Sequence, residues 1–88
     1  MMHCTILYNK STPDERWATD MAKSLDNEGV VAELLDADSS RGIDLAEHYD
    51  ITARPALLIA AADGTPVALW QGREQMPLVS EIAHSARQ

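Results

Sequence analysis

The sequence predicts an α/β fold: a mixed four-stranded sheet flanked by three helices, in the order βαβαββα. Three stretches carry that prediction. Cys4–Tyr8, a helix of about fourteen residues and Val30–Leu35 make a βαβ unit, and a helical crossover implies parallel strands. Ala56–Ala61 is apolar without alternation, as suits a central strand covered on both faces. Asp63-Gly64 lies between that run and Val67–Trp70, and an Asp-Gly pair between apolar runs is a strong hairpin signal because Gly64 can take positive φ.

The elements follow in order. In Cys4–Tyr8, alternation points Cys4, Ile6 and Tyr8 to one face and Thr5 and Leu7 to the other. Thr12-Pro13-Asp14-Glu15 reads as a helix start, with Thr12 as N-cap, Pro13 at the first helical position and Glu15 completing a capping box. Trp17, Ala18, Met21, Ala22 and Leu25 then recur at helical spacing, and Gly29 ends the helix. Asp14, Asp20 and Lys23 fall on the opposite face. The second helix is expected over Ile43–Tyr49, with Ile43, Ala46 and Tyr49 inward. Pro55 belongs at the start of the Ala56–Ala61 strand, since it has no N–H to give a ladder. Ala62-Asp63-Gly64-Thr65 forms the turn. The third helix is expected from near Met76, with Pro77 at its first position and Leu78, Val79, Ile82, Ala83 and Ala86 as its buried face.

Residues 1–88 are expected to form a single domain with one core. The formal net charge is −7, and the seven Lys and Arg residues are scattered singly. Without a basic stripe, nucleic acid and anionic membrane are unexpected partners. Cys4 is the lone cysteine, so there is no internal disulfide framework. Met-Met-His-Cys is not expected to act as a signal peptide, and no apolar run approaches the roughly 18 residues that span a membrane. A cytoplasmic location is the resulting expectation.

Glu33-Leu-Leu-Asp-Ala-Asp38, Asp44-Leu-Ala-Glu-His-Tyr49, Ile51, Pro55, the Asp-Gly hairpin, Gly72 and a C-terminal helix follow one another in an order that resembles the thioredoxin family. The resemblance implies a thioredoxin-like fold and a cis peptide bond before Pro55. The family's Cys-x-x-Cys is absent. Tyr8-Asn-Lys-Ser-Thr-Pro-Asp-Glu15 also resembles the active-site loop of glutaredoxins, Tyr-Ser-Lys-x-x-Cys-Pro-x-Cys. Aligned on Pro13, Thr12 stands at the nucleophilic cysteine and Glu15 at the resolving one. Tyr8 and Lys10 match if this loop is one residue shorter. Neither a hydroxyl nor a carboxylate exchanges with disulfides, and a capping box explains both residues without any ligand.

The resemblance implies a binding site at Lys10, Thr12, Pro13, Glu15, Ala53, Arg54 and Pro55, where the first-turn N–H groups meet the loop before Pro55. The expected function is a redox-inactive binding or adaptor module for a protein or peptide partner. No cofactor and no metal are expected. The alternative is thiol–disulfide or glutathione chemistry in redox homeostasis, with glutathione as ligand and Lys10 and Arg54 as cations for its carboxylates. Of the glutaredoxin Gly-Gly-x-Asp signature only Gly72 is present. A third reading is an oligomer formed through the edge strand Val67–Trp70. Cys4 lies some 15–25 Å from Thr12 by strand rise, and reads as an inert small hydrophobe. Asp36, Asp38, Ser40, Asp44 and Glu47 nearly match a calcium loop, but Arg41 stands where that loop needs glycine. His3, His48 and His84 are isolated and lack ligand spacing.

Overall fold

The computed structural model describes residues 2–87. They form β1 (Met2–Tyr8), α1 (Pro13–Asn27), β2 (Ala32–Asp36), α2 (Ser40–His48), β3 (Ala56–Ala61), β4 (Pro66–Gln71), a 3-10 turn (Arg73–Gln75) and α3 (Val79–Arg87). The sheet order is β2-β1-β3-β4, with β1 and β2 parallel and the other pairs antiparallel. The fold class is the expected one.

Alternation along the strands divides the core between two faces. Cys4, Ile6, Tyr8, Leu57 and Ile59 pack beneath α1 and α3, against Ala18, Leu25, Ile82 and Ala83. Leu7, Leu35 and Ala56 face the other way, onto Ala46 of α2 and Ile51. β3 is buried along Ala56–Ala60 because both faces are covered.

α1 starts where its residues demand. Thr12 is extended, and its Oγ1 accepts from Asp14 N–H at 3.3 Å and donates to Asn9 C=O at 2.7 Å. The Glu15 carboxylate reaches back one residue further than a capping box requires and accepts from Ser11 N–H at 2.8 Å. Thr12→Ala should lower stability by about 1 kcal/mol, since a first-turn N–H loses its acceptor. A denaturant midpoint unchanged within error would contradict this. α1 ends in a Schellman motif: Gly29 N–H donates to Asp26 C=O and Val30 N–H to Leu25 C=O, both at 2.9 Å, with Gly29 at φ 82°.

That motif explains the first departure from expectation. Val30 is committed to the end of α1 and packs with Leu25, so β2 begins at Ala32, and Val31 is left exposed. α2 begins at Ser40, three residues earlier than expected. Its cap is Ser39, whose Oγ accepts from Gly42 N–H at 3.0 Å and donates to Asp36 C=O at 2.6 Å. The earlier start changes the inward face. Gly42 and Ala46 are buried, Leu45 and Tyr49 pack beside them, and Ile43 is exposed.

α3 begins at Val79 instead of near Met76. The chain turns at Gly72, makes the 3-10 turn and passes through Met76 in an extended conformation. Met76 packs on the α1 side of the core. Pro77 thus precedes the helix, and Leu78 is 71% exposed instead of buried. Ile82 and Ala83 are buried as expected.

Candidate functional site

Residues 51–55 lead from α2 into β3. Ile51 N–H donates to Ala46 C=O at 2.8 Å, after Asp50 has turned the chain at φ 58°. Gln71, at the end of β4, then holds the loop from outside. Its Oε1 accepts from Thr52 N–H at 2.7 Å and Ala53 N–H at 3.0 Å. The Arg54–Pro55 peptide is cis. Pro55 is fully buried, and its C=O accepts from Gly72 N–H at 2.8 Å.

Arg54 lies between these tethered neighbours. Neither its backbone nor its side chain makes a hydrogen bond among the described residues, and its Nε is buried without a partner. Arg54 and Pro55 line a cavity of about 490 Å³ with Asp14, Gly72, Arg73 and Glu74. Arg73 Nη1 stands 3.5 Å from Asp14 Oδ1, joining the start of α1 to the 3-10 turn.

The other sequence-predicted residues do not line this cavity. Thr12 and Glu15 line a separate shallow depression with Ser11, Arg16, Thr19 and Asp20. Their polar groups are engaged with Asn9, Ser11 and Asp14 of the same turn. Pro13 lines a third groove with Trp17, Met21, Arg73 and Val79. Lys10 is exposed on the turn after β1, and Ala53 is half-buried. The structure brings Arg54 and Pro55 together with Asp14, Gln71 and Arg73. Sequence reasoning missed these three. Asp14 reads locally as a solvent-facing first-turn acid, yet it is partly covered by Arg73. Gln71 follows the last residue of the expected strand, and nothing in its local pattern marks its partners 19 and 18 residues away.

Cys4 lies in β1, paired with Ile59 and Ala32, and is buried. Burial pushes its thiol up to about 11 from 9.0, because desolvation disfavours the thiolate. At pH 8 it should therefore alkylate at least about a hundredfold more slowly in the folded chain than in the unfolded one, as the thiolate is the nucleophile. Rates equal in water and in denaturant would refute this. The folded-state pKa is the higher one, so the thiol's contribution to stability is complete below pH 9 and is lost as pH rises towards 11.

The residues that suggested a calcium loop fall on the end of β2, the turn after it and α2. Asp36 Oδ1 accepts from Asp38 N–H at 3.0 Å, and Ser40, Asp44 and Glu47 lie on α2. Among the described residues no group of three or more His, Cys, Asp or Glu could hold a metal. No helix among them is long and apolar enough to cross a membrane.

No family model matches this sequence, and no curated protein matches it. Solved structures do. Thioredoxin O2 from Arabidopsis thaliana, in its oxidized state, superposes with a TM-score of 0.70 at 15% identity, covering 99% of this chain and 73% of that one. Fasciola hepatica thioredoxin gives 0.68 at 17% identity, over 98% and 78%. Thioredoxin 1 from Thermosipho africanus gives 0.68 at 9%, over 97% and 90%. At these identities the likeness is one of fold, and the fold is thioredoxin-like. The single cysteine fits the absence of a Cys-x-x-Cys pair.

Proposed function

We propose that this thioredoxin-like domain is a redox-inactive binding module that takes an extended segment of a protein partner along residues 53–55, beside the N-terminus of α1. One observation carries the reading. The Arg54 N–H and C=O have no partner among the described residues, while Gln71 and Gly72 tie down the backbone on either side. An extended segment can supply one acceptor and one donor to such a residue, as strand addition does at a sheet edge. The loop need not reorganise to accept it, which limits the entropic cost of binding. The buried thiol of Cys4 supports a binding role over thiol exchange.

The test is capture of partners from the native cell, with the wild-type chain and an Arg54→Pro variant that has no N–H to donate. Gln71→Ala serves as a second variant, since it unties the loop without touching Arg54. A partner retained by wild type and lost by both variants supports the reading. A partner held equally by all three would overturn it. Glutathione is added as competitor in a parallel arm. Release of the partner by glutathione at concentrations that leave the fold intact would move the assignment to the glutathione alternative.

A further inference from the structure

The five arginines divide four to one. Arg16, Arg41, Arg73 and Arg87 stand 3.9, 2.9, 3.5 and 3.3 Å from Asp20, Glu33, Asp14 and Glu28. Arg54 has no such partner among the described residues, in a chain with twice as many Asp and Glu as Lys and Arg. Glu47 and Asp50 line a shallow groove with it and yet form no ion pair. Its Nε is buried and unpaired. A buried N–H with no acceptor is costly, and far more so when charged. A carboxylate entering the cavity that Arg54 lines would give its guanidinium the partner it lacks, because two oxygens can take two of its N–H groups together. The other cation of the cavity, Arg73, is already engaged by Asp14. Glu74 stands at the rim and opposes an incoming anion.

Arg73 also lines the neighbouring groove between α1 and the start of α3, where Trp17, Met21 and Val79 give an apolar floor. The two hollows share that one side chain in their linings. In an extended segment residues i and i+2 point the same way, about 7 Å apart.

We propose that the segment this site takes is acidic and apolar: its carboxylate pairs with Arg54, and an apolar side chain two residues away lies over Trp17, Met21 and Val79. The proposal rests on the backbone pairing at Arg54 described above and adds the side-chain chemistry of the ligand.

The experiment uses the isotope-labelled chain and two N-acetylated, C-amidated pentapeptides, Ala-Leu-Ala-Glu-Ala and its reverse. Amide shifts of Arg54, Arg73 and Val79 are followed by NMR. The tighter peptide should weaken about tenfold when Glu is replaced by Gln, the loss expected for one charge-assisted bidentate contact. Replacing Leu by Ala should weaken it several-fold and remove the shift at Val79. Arg54→Gln should erase the preference for Glu over Gln, whereas Glu74→Gln should raise affinity about two- to threefold by removing an opposing charge. If the Glu and Gln peptides shift the Arg54 amide with equal affinity, this inference fails and the backbone pairing survives. If no peptide moves that amide at millimolar concentration, both fail. The comparison of Glu and Gln peptides uses the wild-type chain alone, so it decides even if a variant does not fold.

Discussion

Leu57→Ala should lose about 2–5 kcal/mol of stability, the range for removing most of a buried leucine and leaving a partly collapsed cavity. Leu57 is 0% exposed, at the middle of the sheet, paired with Ile6 on one side and Trp70 on the other. Its neighbours belong to β1, β4, α1 and α3, so none can close over the hole without dragging another element from its place. A domain of this length has about 4–13 kcal/mol in all, and the variant should be partly unfolded at ambient temperature if the true figure lies near the lower end. The paired control is Leu78→Ala. Leu78 is 71% exposed, and its truncation should shift stability by less than about 0.5 kcal/mol. Urea unfolding of both variants, followed by circular dichroism, separates them. Equal midpoints would mean that the core lies elsewhere.

Gly42→Ala should destabilise by about 1–3 kcal/mol, the cost of forcing extra volume into a packed site. On an isolated helix the same change would stabilise by about 1 kcal/mol. The sign reverses because α2 runs against the end of β2. A Cβ on Gly42 would overlap the Asp36 carbonyl oxygen and reach within 3.0 Å of Ala37 Cα. These are backbone atoms, and the Ser39 hydroxyl already ties Asp36 C=O to the helix cap, so there is no flexible side chain to step aside. Gly29→Ala is the control for glycine itself. It meets nothing within 4 Å and carries only the strain of a positive φ, about 1 kcal/mol. Calorimetric midpoints compare the two, and a Gly42→Ala variant as stable as the parent would show that α2 can shift away from β2.

Gly42 also marks where sequence reading reaches its limit. A glycine among Ser39-Ser40-Arg41 reads as a reason to delay a helix, because glycine is a poor helix former. Its true reason is a neighbour six residues back in the chain and across a layer of the fold. The Ser39 cap was the local signal that could have moved the start of α2 to Ser40. Met76 and Leu78 make the same point at the other end. Both look like members of one amphipathic helix, yet Met76 packs in an extended segment and Leu78 is left in solvent. The direction in which the chain must leave β4 chose between them, not their hydrophobicity.

The sequence by itself determined the order of the elements, the parallel pairing of β1 and β2, the hairpin, the cap and Gly29 terminus of α1, and the two-faced burial of β3. Each of these is written within a few residues, as a period, a cap or a turn, and local physics suffices to read it. The tertiary structure alone decided the candidate site. Gln71 reaches Thr52 and Ala53, Arg73 reaches Asp14, and Arg54 is left as the arginine without a carboxylate among the described residues. Arg54 was legible as a candidate, but its isolation was not. Whether a charge is paired depends on which distant side chains the packed core sets within about 4 Å of it, and no periodicity along the chain encodes that distance.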